Sequence, residues 1–320
     1  MIRLLSCLVA VPLLAFATGA PAQDSYPSRT VRLVVGFGAG GPTDIPARYI
    51  ADKLSPALGQ RVIVENKPGA AGQIAARDVL AQVSDGYNLL LCTHFESINP
   101  ALYKRAGFKT NDFAPITQIS KYYYGITLAN SAPPKTFEEF IAYAKANPGQ
   151  MHYATIGAGS VQEIFARQLA KRAGIELNRI PFKDGATAMR DILAGRVHFF
   201  VSPTLSVLPH YQAGRMKILA VTSPERLRVA PEVPTVTEKG IAFVAFGWLG
   251  VCARAGTPEP IIARLNRDIG SIVNSPGYRA LIEKAGSIPI ASTPAELGKV
   301  MVDTQKQVAV TIQEFRMQIE

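Results

Sequence analysis

Cysteine is scarce in this chain, with three among 320 residues. That excludes a small scaffold held by disulfides in place of a core. Histidine is scarce as well. The four, His94, His152, His198 and His210, show no H-E-x-x-H spacing, so no metal site is expected. No G-x-S-x-G elbow and no S-x-x-K occurs, and neither catalytic residues nor a cofactor is expected. Acidic residues are in deficit, 24 against 34 basic, for a net charge of +10. The basic residues are scattered, and no nucleic-acid motif accompanies them, so the excess favours an anionic solute over nucleic acid. Long apolar runs are absent but for one, Leu4 to Ala17.

That run fixes an expected compartment. A short positive start at Met1-Ile2-Arg3 precedes it, and Ala20-Pro21-Ala22 follows as a small-x-small site. This is the layout of a secretory signal, too short for a spanning helix, with cleavage expected after Ala22. A lipoprotein anchored through Cys7 is the rival, but Cys7 precedes most of the apolar run. Removing residues 1–22 costs only Arg3, leaving a mature charge of +9 and two cysteines, Cys92 and Cys252. Export permits a disulfide between them without requiring one.

Hydrophobic residues at 48% and charged residues at 18% describe a globular chain, and its length predicts two domains at roughly 150 residues each. Val31–Val35, Arg61–Glu65 and Asn88–Cys92 read as buried strands separated by helices at 42–55 and 74–82. In the first helix Ile45, Tyr49, Ile50 and Leu54 fall on one side. The alternation recurs: strands at 125–129, 152–155, 199–202 and 218–221, helices at 137–146, 160–172 and 186–194. Residues 246–253 read as another strand, and the tail, 258–273 and 294–316, as helical. The expectation is an α/β fold with parallel sheets, whose ligands bind beyond the carboxyl ends of the strands.

Two glycine turns stand at such ends. The first is Gly36-Phe37-Gly38-Ala39-Gly40-Gly41-Pro42-Thr43-Asp44. Its bare amides, the helix start behind it and the Thr43 hydroxyl suit a carboxylate or phosphate. Asp44 would repel an anion and is read as capping or holding the loop. A tight turn with no ligand is the plain alternative. Gly36, Gly38 and Gly41 also satisfy G-x-G-x-x-G, and Glu65 ends the next strand, so a dinucleotide site is a rival. Export and Pro42 count against it. The second turn, Tyr153 to Ser160, offers Thr155 and Ser160, although Ser160 as a mere helix cap is the commoner outcome. His94 follows a strand end in Cys92-Thr93-His94-Phe95-Glu96-Ser97. Tyr122-Tyr123-Tyr124 and Trp248 lie near expected crossings between domains, where they would either stack on a ligand or pack the hinge.

Further stretches stand in order along the chain: Tyr26-Pro27-Ser28, Leu58-Gly59-Gln60, Val64-Glu65-Asn66-Lys67-Pro68-Gly69-Ala70, Asp85-Gly86-Tyr87, Ile98-Asn99-Pro100-Ala101-Leu102-Tyr103, Ala144-Lys145-Ala146-Asn147-Pro148-Gly149, Leu219-Ala220-Val221-Thr222-Ser223 and Val233-Pro234-Thr235-Val236. With the first glycine turn they cover nearly the whole mature chain. Through them the chain resembles the Bug-type solute receptors, the TctC-like extracytoplasmic components of tripartite tricarboxylate transporters. The resemblance implies a two-domain periplasmic binding protein fold of type II-like kind with a hinged cleft. Domain I would comprise 23–123 and 254–320, and domain II 124–253, with crossover strands near 124–129 and 246–253. The implied ligand-facing residues are Gly38, Ala39, Gly40, Gly41, Thr43, Asp44, Thr93, His94 and Ser97 in the first domain. In the second they are Thr155, Gly159, Ser160, Lys183, Gly185 and Ser202, and Trp248 joins them from the aromatic reading.

Three positions depart from the family's common pattern: Ile156, Glu163 and Ser202. Where family members often place an Asp at the strand end, Ser202 offers no charge, which argues against an α-ammonium ligand unless Glu163 substitutes. The expected ligand is therefore an aromatic or dicarboxylic acid, with citrate-like solutes still open. The expected partners are this small carboxylate and the membrane permease of such a transporter. The mature chain is expected to be a periplasmic monomer that does not insert into the membrane. A ligand sensor serving a signalling partner, or an exported dinucleotide-binding enzyme, are the alternatives.

Overall fold

The computed structural model describes residues 26–156, 160–182 and 185–315. The expected signal sequence, Gly159 and Lys183 lie outside them. Along the chain run β1 (Val31–Val35), α1 (Asp44–Leu58), β2 (Val62–Asn66), α2 (Gln73–Leu80), β3 (Asn88–Thr93) and α3 (Phe95–Leu102). Then come β4 (Phe113–Ala129), α4 (Phe137–Ala146), β5 (His152–Thr155), α5 (Val161–Ala173), β6 (Asn178–Pro181), α6 (Gly185–Leu193), β7 (Phe199–Pro203), α7 (Thr204–Gln212) and β8 (Met216–Val221). The chain ends with β9 (Phe246–Arg254), α8 (Glu259–Val273), α9 (Pro276–Lys284), β10 (Ser287–Pro289) and α10 (Pro294–Phe315).

The strands form one sheet in the order β2-β1-β3-β9-β4-β7-β5-β6, with β8 and β10 also paired to β4. β1, β2 and β3 are mutually parallel, as are β5, β6 and β7. β4 is common to both groups. Residues 113–123 pair with β9, and residues 124–128 pair with β7. Two α/β halves thus hang on one strand. Their helices bury apolar stripes as the spacing requires. In α1 these are Ala47, Ile50, Ala51, Leu54 and Leu58, and a left-handed Gly59 ends the helix.

The sequence reading recovers most elements within three residues. It errs at Ile45, which is 47% exposed rather than on the buried side. It also finds only the last five residues of β4. Two register shifts, at Pro115/Thr117 and Gln118/Ser120, break the period of two that marks a strand. Short α3, α7, α9, β6 and β10 escape it altogether. The open question of the cysteines is answered by a disulfide. Cys92 in β3 and Cys252 in β9 are joined, both fully buried.

The C-terminal helix links the halves. Leu297 and Met301 of α10 sit in the core of the first half. Further along, Thr311 accepts a hydrogen bond from Gln168 of α5 at 2.6 Å, and Glu314 pairs with Lys171. Among the described residues no helix is long and apolar enough to cross a membrane.

Candidate functional site

The first glycine turn leaves β1 and enters α1. Gly38 to Gly40 are exposed, whereas Thr43 and Asp44 are buried. The turn closes on itself through the Gly41 N–H to the Gly38 carbonyl at 3.4 Å. Gly40 has φ +73°, the left-handed region that glycine tolerates. No described group accepts from the amides of Gly38, Ala39 or Thr43. Thr43 stands at the N-cap of α1 but makes no side-chain cap bond, and its buried Oγ1 lacks a partner among the described residues.

Asp44 braces this turn. Its carboxylate accepts from the Gly40 N–H at 2.8 Å, from Arg48 Nε at 2.7 Å and from Asn66 Nδ2 at 2.8 Å. Asn66 also donates to the Phe37 carbonyl at 3.0 Å. Burial alone would raise the pKa of Asp44. The bonds from Arg48, Gly40 and Asn66 outweigh it and hold the carboxyl below its ordinary value. This is the loop-holding role expected of Asp44. Arg48 lies one helical turn beyond Asp44, a spacing visible in the sequence. Asn66 carries no such signal.

Glu65, the candidate ribose acid of a dinucleotide site, is engaged elsewhere. It binds Arg32 at 2.6 Å and Lys67 at 3.2 Å.

The segment after β3 is more buried than expected. The Thr93 N–H and hydroxyl both donate to Glu96 Oε2, at 2.5 and 3.1 Å, and the hydroxyl accepts from the Phe95 N–H. Thr93 is therefore spent on starting α3. Glu96, which the sequence reading passes over, is 2% exposed, and burial pushes its carboxyl up to about 7. Ser97 is fully buried, with an Oγ that has no partner among the described residues. His94 is buried too. Burial pulls its imidazole down to about 3, so it is neutral across the physiological range. Its Nδ1 lies 3.4 Å from the Tyr122 hydroxyl, and the backbone of Trp248 is a second hydrogen-bonding neighbour of the ring.

Rings join this wall to the second half. Phe37 of the first turn contacts Phe95 (centroids 5.7 Å apart), Phe95 contacts His94 (4.4 Å), and His94 contacts Tyr122 (6.3 Å). Tyr122 meets Tyr124 (5.7 Å), which meets Phe165 of α5 (4.9 Å). Tyr122 lies over Gly247, where a Cβ would sit 2.4 Å from its ring. Trp248 takes no part. It is fully buried among Val34, Leu90, Phe113 and Met301, and its Nε1–H donates to Thr304 Oγ1 at 3.1 Å. The expectation that Trp248 faces ligand is corrected: it is a core residue of the first half.

On the second half, Thr155 closes β5, fully buried, with an Oγ1 that has no partner among the described residues. Ser160 caps α5 by accepting the Glu163 N–H at 3.4 Å. Ser202 is fully buried at the end of β7, 3.4 Å from the Thr127 hydroxyl. Gly185 is half-buried at the start of α6. Glu163 is held by Arg167 at 2.9 Å and Arg179 at 3.1 Å, so its charge is compensated within the second half.

Two α/β halves joined through a shared strand have the architecture of periplasmic binding proteins. The family profile described as tripartite tricarboxylate transporter family receptor matches residues 46–317. A Cupriavidus necator protein, described as UPF0065 protein in gbd 5'region, is 33% identical over 298 residues, covering 92% of this chain and 91% of its own. The solved periplasmic binding protein BugD is 31% identical with a TM-score of 0.84, over 92% of this chain and all of that one. Two Rhodopseudomonas palustris structures are similar as well. One, with adipate, has a TM-score of 0.83 at 29% identity, over 89% of this chain and 98% of that one. The other, MatC with bound malate, has a TM-score of 0.82 at 27% identity, over 90% and 100%. The chain belongs to the tripartite tricarboxylate transporter receptor family, the TctC or Bug group of periplasmic solute-binding receptors.

Proposed function

We propose that this receptor captures a small dicarboxylic or aromatic carboxylate in the cleft between its two domains and delivers it to the membrane subunits of a tripartite tricarboxylate-type transporter. The observation that carries the reading is the first glycine turn: amides of Gly38, Ala39 and Thr43 with no protein acceptor among the described residues, beside an Asp44 already neutralised. Such a turn receives one carboxylate. Thr155 on the second half completes the contact when the hinge closes, and closure needs contacts from both sides. Gly159 and Lys183 lie outside the described residues and keep their place as candidates by resemblance alone.

The ring chain from Phe37 to Phe165 favours an apolar ligand body. Glu163 is paired with Arg167 and Arg179, and burial raises the Glu96 carboxyl towards its neutral form, which favours a carboxylate over an amino acid. The adipate and malate held by the two R. palustris relatives support the dicarboxylate class. We place the domains at 23–123 with 254–320, and at 124–253, and export to the periplasm after cleavage at Ala22.

The test is a thermal-shift and calorimetric screen of residues 23–320 against C4–C6 dicarboxylates, citrate, benzoate, the phthalate isomers, amino acids and NAD. A ligand at 100 times its Kd adds about 2.7 kcal/mol of stability. Gly41→Asp, which puts charge and bulk into the turn, should abolish the shift. An unchanged affinity in that variant, or a shift with NAD alone, overturns the reading.

A further inference from the structure

We infer a second small-anion site, on a groove formed between the two halves and separate from the glycine turns. The groove encloses about 620 Å³, a volume usual for small-molecule sites. One wall is the segment 223–229 that follows β8, and the other is the end of α9 with β10. β8 pairs with the last residues of β4, from Gly125 on, whereas β10 pairs with residues 120–122. An occupant touching both walls therefore bridges the two halves.

The groove is amphipathic. Its apolar lining comes from Tyr123, Leu227, Val229 and Ile288, the last 44% exposed although it belongs to a strand. Its rim is basic. Arg226 is paired with Glu238 at 2.6 Å, and Arg279 with Glu283 at 3.1 Å. Arg228, from one wall, and Lys284, from the other, have no carboxylate partner among the described residues. Lys121 lies 5.2 Å from the ring of Tyr123, which lines the groove, and 4.2 Å from the Phe246 ring. Two unpaired cations on opposite walls above apolar side chains match an anion with an apolar body, such as an aromatic carboxylate. The carboxylate would bridge Arg228 and Lys284, and the ring would lie on Tyr123 and Ile288. Nothing in this arrangement depends on the glycine turns.

The probe is 4-iodobenzoate, titrated calorimetrically into residues 23–320 and located in crystals by the anomalous scattering of its iodine. We expect iodine between the groove walls. We expect one binding equivalent to survive Gly41→Asp. The double variant Arg228→Glu, Lys284→Glu, both exposed positions, should weaken that equivalent by roughly tenfold to a hundredfold. Arg228→Lys should recover part of it, because the charge is kept and the bidentate fork lost. The proposal is overturned if no equivalent remains in Gly41→Asp, which leaves the cleft reading intact. It is overturned equally if the surviving equivalent ignores the double reversal or the iodine lies elsewhere. If Gly41→Asp removes nothing and the double reversal removes one equivalent, the groove stands and the cleft reading falls.

Discussion

The two halves place an acid at the same point, in the first turn of the helix that follows a glycine turn, and each neutralises it with an arginine four residues on. In the first half Asp44 meets Arg48, and in the second Glu163 meets Arg167. The other partners differ. Asp44 reaches back to the Gly40 N–H and across to Asn66, so it holds the turn itself. Glu163 takes Arg179 from β6, so it ties α5 to the sheet. An acid near an anion site is tolerated when its charge is spent locally, and what it is spent on decides whether the loop or the helix is made rigid. The first half is further stapled by the disulfide between β3 and β9. On the hinged-cleft reading proposed above, the first half would be the preformed jaw and the second half the moving one.

The largest test of that asymmetry removes the staple. Cys92→Ala with Cys252→Ala opens a loop of 160 residues and should cost roughly 2–5 kcal/mol of unfolding free energy. Hydrogen exchange should show protection falling in β1 and β3 while β5 and β7 keep theirs. Equal loss in both halves would break the comparison.

Next in size is Asp44→Ala. It strips the Gly40 N–H, Asn66 and Arg48 of their acceptor. Arg48 is half exposed and can turn to water, so the cost is about 2 kcal/mol rather than that of a fully buried pair. Glu163→Ala should cost a similar amount, because its two arginines are each 38% exposed against 52% for Arg48. The Asp44 term has a defined pH window. Its carboxyl is held below the ordinary 3.8, so its stabilisation is present above that value and is lost as pH falls through the depressed one. Denaturant midpoints of wild type and Asp44→Asn should converge on acidification; a constant gap would show that the ion pair is not what Asp44 supplies.

Glu96 reverses that sign within the same half. Its carboxyl is raised from 4.5 to about 7, so its favourable term is full below 4.5 and disappears as pH rises through 7. Glu96→Gln should therefore match wild type below about pH 4 and exceed it by roughly 3 kcal/mol at pH 8. Equal stability of the two proteins at pH 8 would mean that Glu96 is solvated in a way its burial denies.

Much of this was legible in the residues. The glycine turns, the strand ends and the brace role of Asp44 follow from glycine, helix-start and spacing rules that act locally. Trp248 could not be placed in that way. A lone tryptophan beside glycines fits a cleft as well as a core, and only the pairing of β9 with β3 and β4 and the arrival of α10 from far along the chain put it among Leu90 and Met301. Glu96 was hidden for a similar reason. Thr93 and Glu96 spell a helix start, but the burial that shifts the carboxyl comes from packing that local spacing does not encode. The first twelve residues of β4 were lost because two register shifts erase the alternation by which strands are read.

The smallest effects are the most diagnostic. Thr43 and Thr155 stand one on each half, each with a buried hydroxyl lacking a partner among the described residues. Ser160, by contrast, spends its hydroxyl on capping α5, and Ser160→Ala should cost about 1 kcal/mol. Valine keeps the branched shape of threonine and removes only the polar atom. Since Thr43 caps nothing, neither Thr43→Val nor Thr155→Val should destabilise the ligand-free protein, and each should stabilise it by up to about 1 kcal/mol. Carboxylate affinity should fall roughly tenfold in each if both hydroxyls complete the closed site. The asymmetry of the jaws then predicts where the loss falls in time. Thr43 belongs to the preformed half, so Thr43→Val should slow association as well as speed release. Thr155 joins only on closure, so Thr155→Val should act on the release rate alone, as stopped-flow titration would resolve. A Thr155→Val protein that is less stable without ligand and unaltered in release would assign its hydroxyl to the fold and leave the second jaw to other groups.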